Sequence, residues 1–169
     1  LSKLHCGPGQ SVAATAVLGN SSDYPEADIM GAMDKIFENG RVNGNEPMAL
    51  ILPASCRQHM MNTRLYTNLL QSLQERINSM VSLDVYYTRD FGSGAALGSD
   101  ALLLIKGAQT AEFFTYNGDG FQETELTRIE GVGFSWLLTS YMGTVIHEHQ
   151  DGASAGTNNR ICKITGVVA

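Results

Sequence analysis

Between Glu46 and His149 the chain reads EPMALILPAS, then a helical repeat, then SLDVYYTRDF, LGSDALLLIKGAQT and a long aromatic stretch closing on YMGTVIHEH. MALILPAS (Met48–Ser55) is a continuous apolar run stopped by Pro53. A run without alternation suits a strand covered on both faces, because both rows of side chains then meet apolar neighbours. Farther on, Leu65, Leu69, Leu73 and Ile77 recur every four residues, with Leu70 and Met80 beside them. Gln71, Gln74, Glu75 and Arg76 face away. That period predicts an amphipathic helix, with Asn62 or Thr63 as its cap. SLDVYYTR follows at once, with Leu83, Val85 and Tyr87 alternating. Strand, helix and strand joined by short connections predict a parallel pair with a right-handed crossover. After the Gly-rich connection Phe91–Gly98, ALLLIKGA (Ala101–Ala108) reads as another buried strand.

Working outward, EFFTY-NGDG-FQETELTRI reads as a hairpin, since Asn117-Gly118 and Asp119-Gly120 accept the positive φ of tight turns. VGFSWLLTSYMGTVIHEH reads as two strands meeting near Tyr141–Gly143, and RICKITGVV as a last strand after the loop QDGASAGTNN. Upstream, Gly7, Pro8 and Gly9 break regular structure, and SVAATAVLG (Ser11–Gly19) is a candidate strand. Pro25 then opens a helix with Glu26 and Asp28 at its positive end and Ile29, Met33, Ile36 and Phe37 on one face. Gly40 ends it, and Gly44 marks a loop or hinge. The expected class is α/β (α+β): a mixed sheet with a strand–helix–strand core, packed helices and a C-terminal antiparallel meander. Residues 1–45 are expected to form a β-α appendage packed on a core of residues 46–169.

The chain's 169 residues suit one domain, and a hydrophobic fraction of 43% is that of a globular chain. A formal charge of −6 without a basic cluster argues against nucleic acid and against an anionic membrane surface. No apolar run approaches the ~20 residues that span a bilayer. The opening LSKLHCGPGQ lacks the apolar core of a signal peptide. Cys6 and Cys162 lie near opposite ends; a disulfide between them in an oxidising compartment and three unpaired thiols fit the count equally well.

Several groups invite chemistry. His147 and His149 flank Glu148, and on a strand i and i+2 point to one side, so two imidazoles can share a metal. Zinc needs more ligands, which His5, His59 or Asp151 would have to supply, and a polar strand end is the plainer reading. Gly92-Ser93-Gly94 with Gly98 resembles a phosphate loop but precedes a strand rather than the required helix. Cys56, just past a strand end, fits a buried thiol better than a nucleophile paired with His59. Asn20-Ser21-Ser22 matches the N-glycosylation pattern, which matters only in a eukaryotic secreted protein. Phe113, Phe114, Tyr116, Phe121 and Trp136 give the hairpins an aromatic character. Core packing accounts for part of it, and alternation places the rest outside, where exposed aromatics mark an interface. Phe114, Tyr116, Phe121 and Trp136 are the candidate interface residues.

The order of elements resembles the TolB amino-terminal domain, a fold shared with the curli secretion lipoprotein and other outer-membrane-associated lipoproteins. Three patterns carry the resemblance over about residues 46–150. They are Leu52-Pro53-Ala54-Ser55 closing a strand, Leu97-Gly98-Ser99-Asp100 leading into a strand that ends at Gly107, and Tyr141-Met142-Gly143-Thr144-Val145-Ile146. The family's short helix before the Leu-Gly-acidic step is replaced here by FGSGAA. The resemblance implies a non-enzymatic cell-envelope scaffold in the periplasm or at the outer membrane. Such a protein would form a homo-oligomer or dock on a larger complex, touching the membrane only through an anchor or partner. It carries over no catalytic residues and no cofactor. The alternative is a secreted enzyme or toxin using a divalent metal at His147 and His149; a eukaryotic secreted effector is a third.

Overall fold

The computed structural model describes residues 6–17, 25–40, 42, 46–61, 75, 83–89, 97–107, 109–115, 122–123, 127–131, 133–135, 138–139, 142–147 and 158–168. The chain forms two compact units, Leu1–Thr110 with Ile146–Ala169, and Ala111–Val145.

The first unit is built on β2 (Met48–Pro53) and β4 (Ala101–Ile105). Both are apolar along almost their whole length, and both are buried on both faces. They pair antiparallel, Met48 opposite Ile105 and Leu50 opposite Leu103. On one side β3 (Leu83–Thr88) runs parallel to β2. On the other, β11 (Ile161–Thr165) runs antiparallel to β4, and β1 (Ser11–Ala13) parallel to β11. The order is therefore β1-β11-β4-β2-β3, a mixed five-stranded sheet in an α+β fold, as the alternating and continuous apolar runs predict. The N-terminal and C-terminal segments meet at one edge.

Register divides the side chains into two layers. Met48, Leu50, Leu52, Leu83, Ala101, Leu103, Ile105, Cys162 and Ile164 share one core with Ile29, Ala32, Met33 and Ile36 of α1 (Pro25–Asn39). Ala49, Leu102, Leu104 and Ile161 form a second cluster with Leu97 and the half-buried Cys6 and Ile146. Helix α1 lies on β11, β1 and β4, using the face its periodicity marks. Its first turn also anchors the preceding strand. Both Asp28 carboxylate oxygens accept hydrogen bonds from Thr15, one from the backbone N–H (2.9 Å) and one from the hydroxyl (2.7 Å). Beyond β2 the chain turns through Ala54–Cys56 into the short α2 (Arg57–Met60), which buries Cys56 and Met60 in the first core. The helix expected from Asn62 or Thr63 to Met80 falls outside the described residues, apart from Glu75, which is helical and exposed.

The second unit is antiparallel, as expected, but its strands pair differently from the expected hairpin of EFFTY with FQETELTRI. Strand β5 (Ala111–Thr115) pairs with β10 (Met142–Ile146), β6 (Gln122–Glu123) with β9 (Leu138–Thr139), and β7 (Thr127–Ile129) with β8 (Gly133–Ser135). The pairs are nested, so the described strands between 111 and 146 are arranged as in one long hairpin. Strand β5 thus does not pair with β6; the reversal among the described residues sits at Glu130–Gly131, with Gly131 in the left-handed region at φ 78°, and Asn117–Gly120 lie outside the described residues. The Asn-Gly and Asp-Gly steps are a local turn signal, but strand pairing is decided by the whole ladder. Residues 124–126 separate β6 from β7, while only 136–137 separate β8 from β9. The register accordingly steps by one residue between Glu123 opposite Leu138 and Thr127 opposite Ser135.

Cys6, Cys56 and Cys162 are free thiols. Cys162 belongs to the α1-side layer and Cys6 to the opposite one, so a terminal disulfide does not form in this arrangement. Burial, reinforced by Cys162 and only partly offset by Lys163, pushes the Cys6 thiol up to about 12. Burial pushes Cys162 to about 11 against the opposing pull of Lys35 and Lys163. Raised folded values favour the neutral thiol, so their stabilisation is complete below the unfolded value near 9 and is lost as pH rises toward 11–12.

Two outcomes follow. The free energy of unfolding, measured with denaturant, should hold steady from pH 7 to 8 and fall from about pH 9 upward. Iodoacetamide at pH 8 should label Cys6 and Cys162 only once the protein is unfolded. At the end of α1, Gly40 donates its N–H to Ile36 O at 2.7 Å, and a Cβ there would stand 2.6 Å from that same carbonyl. Gly40→Ala should cost about 1–3 kcal/mol, read from the denaturation midpoint.

Candidate functional site

The hairpin of residues 111–145 is the surface that asks for an explanation. Phe113 is 61% exposed and Phe114 47% exposed. Neighbours along a strand point to opposite faces, so both faces of β5 present an aromatic ring to solvent. On the returning strands Phe134 is 69% exposed, and Met142 and Val145 are also exposed. A ladder two strands wide has no interior in which to bury them. Of the candidate interface residues, Phe114 is exposed, whereas Tyr116, Phe121 and Trp136 lie outside the described residues. Sequence reasoning missed Phe134, Met142 and Val145. Their exposure follows from the nested pairing, and the only signal was the β-branched and aromatic character of the stretch.

His147 donates its backbone N–H to Thr110 O at 3.2 Å, and its side chain is half-buried. Thr110 is itself buried and donates its N–H to Gly107 O. Buried Asn158 donates its amide to the carbonyls of both Gln109 and His147. His147 is therefore built into a backbone junction. His149, the other candidate metal ligand, lies outside the described residues, as do His5 and Asp151. Among the described residues no group of three or more His, Cys, Asp or Glu side chains stands close enough to hold a metal ion.

The remaining candidates place as follows. Burial raises the Cys56 thiol above its ordinary value, with a Ser55 hydrogen bond pulling the other way. A raised thiol is largely protonated at neutral pH and is a poor nucleophile. Tyr87 is raised too, by burial first and by Cys56, against the lowering effect of Arg57. Gly98 takes φ 61° and leads into β4, so the Gly-rich segment's described end lacks the helix that a phosphate loop needs. A shallow apolar hollow lined by Ala14, Pro25, Ile29, Leu52, Ile164 and Asp28 carries one charge, and Thr15 already engages both oxygens of that carboxylate. Among the described residues no helix is long and apolar enough to cross a membrane.

The sequence matches no family model and no curated protein. Its fold does match solved structures. A phage-related protein from Bordetella bronchiseptica RB50 superposes with a TM-score of 0.70 at 10% identity, over 99% of this chain and 59% of that one. The capsid of Myoviridae phage XM1 gives 0.61 at 10% identity, over 92% and 50%. The virus-like particle from Pyrococcus furiosus gives 0.57 at 12% identity, over 92% and 55%. This chain thus spans between half and three-fifths of the length of these proteins. They are capsid-type and phage-related proteins, not TolB amino-terminal domains or curli secretion lipoproteins. The resemblance drawn from local patterns is overturned, and the envelope assignments that followed from it lose their support. What the chain shares with these proteins is the fold.

Proposed function

We propose that this chain is a non-enzymatic structural protein that self-associates, a building block of a capsid-like shell. The observation that carries the reading is the hairpin: a two-stranded ladder that presents Phe113, Phe114, Phe134, Met142 and Val145 to solvent in the isolated chain. Apolar side chains on both faces of a ladder are unfavourable in water and are covered when copies associate. The fold likeness to the XM1 capsid and the P. furiosus particle supports the same reading. The acidic balance of the chain, −6, fits association through apolar and hydrogen-bonded contacts rather than through binding to phosphates. Phe114 leads the proposed contact, with Tyr116, Phe121 and Trp136 from the same segment. The partner is a second copy of the chain.

Burying a phenylalanine side chain contributes about 1.5–3 kcal/mol. Replacing both Phe113 and Phe134 by Ser should therefore weaken association by roughly a hundredfold or more. Light scattering coupled to size exclusion, with negative-stain microscopy, should show large closed particles for the wild type. The double variant should show small species with an unchanged circular dichroism spectrum. A wild-type protein that stays monomeric up to high concentration would sink the proposal.

A further inference from the structure

In the sheet-bearing unit the chain leaves at Gln109–Thr110 and returns at Ile146–His147, a junction called here the neck. Asn158 stands one turn ahead of β11 and is fully buried. Its side-chain nitrogen donates to Gln109 O at 3.2 Å, just before β5, and to His147 O at 2.6 Å, just after β10. Its side-chain oxygen accepts the Arg160 N–H at 2.8 Å. The amide's orientation is set by this pattern: one end meets two carbonyl acceptors and the other meets an N–H donor, so a flipped amide would lose all three bonds. Its backbone belongs to the same junction, bridging Cys6 and accepting the Ile161 N–H.

Asn159, the next residue, faces elsewhere. Its side-chain nitrogen donates to Asn39 O at 3.3 Å, at the end of α1, and its backbone oxygen accepts from the Gln10 side chain. Gln10 in turn accepts from the Asn39 side chain at 3.0 Å. The two consecutive asparagines thus hold two different things: Asn158 the neck, Asn159 the helix end.

We infer that Asn158 is a latch: it holds the outgoing and returning segments of the neck side by side, and its release opens the neck while the five-stranded sheet stays folded. The physical basis is the type of bond. The sheet is held by buried apolar rows and continuous ladders. At the neck, outside the strand ladders, the backbone bond from His147 N to Thr110 O and the two bonds of this one side chain join the outgoing and returning segments. Local opening takes place where few apolar contacts oppose it. The latch rests on the geometry of the sheet-bearing unit alone and does not need the shell reading.

Hydrogen–deuterium exchange on the full chain tests it. Asn158→Asp keeps the shape but turns a carboxylate toward two carbonyl oxygens. The amide of His147 should then exchange roughly ten- to hundredfold faster, the worth of two neutral hydrogen bonds. Amides of β4 and β11, such as Leu103 and Ile164, should keep their wild-type protection. Asn159→Ser is the control: it should speed exchange at Gly40 and leave His147 unchanged. Equal acceleration at His147 and Leu103, or none at His147, would overturn the latch. If Asn158→Asp does not fold, wild-type exchange in rising denaturant decides. The His147 and Arg160 amides should open together in a step smaller than global unfolding; opening only with β4 would overturn the inference. Particle formation is scored separately, so loss of the shell reading leaves this result standing.

Discussion

Strand β4 is the constraint on which the first unit depends. Five consecutive residues, Ala101 to Ile105, are buried between β2 and β11 with antiparallel pairing on both sides. Ala101, Leu103 and Ile105 serve the α1 layer, and Leu102 and Leu104 the other. A slip of one residue would exchange the two rows and pack leucines where alanine fits, so register is strongly specified. Both ends are pinned. At the entry, Asp100 accepts the Gly166 N–H at 3.1 Å, and Ser99 O accepts those of Val167 and Val168. At the exit, Ile105 donates to Arg160 O and Lys106 to Pro47 O. The exit therefore lies beside the start of β11, and the neck has to form there.

The sheet was legible where burial wrote itself into composition. MALILP and ALLLI read as doubly covered strands because no polar residue interrupts the face pattern, and α1 because its apolar residues keep a helical period. The pairing of β1 with β11 was not legible, since three residues at each end of the chain carry no signal that they meet. The nested hairpin was misread for a related reason: Asn117-Gly118 and Asp119-Gly120 are strong local turn signals, whereas partner choice along the ladder is settled by long-range pairing. At the candidate surface, Phe114 could be named from composition. Asn158, Asn159 and Gln10 could not, because buried amides in a Gly- and Asn-rich segment look like an ordinary loop until their partners are known.

The same distinction explains the overturned resemblance. An apolar strand ending in Pro, a helix and a parallel strand are local features that many α/β folds share. What separates one such fold from another is where later strands insert. Here β11 enters between β1 and β4, and the segment linking β4 to β11 carries the long hairpin. Both facts are long-range. At 10–12% identity, the structures that resemble this chain are reached through overall fold rather than through side-chain motifs.

The two units also divide the physical work differently. The sheet holds its own core, closed by α1 and by the second apolar cluster, and its buried polar groups include Asp28, Gln10 and Asn158, each with hydrogen-bond partners inside the unit. The hairpin's described strands pair only with one another, and its described aromatics face water. Isolated two-stranded hairpins are marginal in water. If copies associate as proposed, association and hairpin order would be linked, since a surface that supplies the missing layer would strengthen the ladder that recruits the next copy. On the same proposals a latched neck would hold the outgoing and returning segments together before a partner arrives, so that less conformational entropy would be lost on docking.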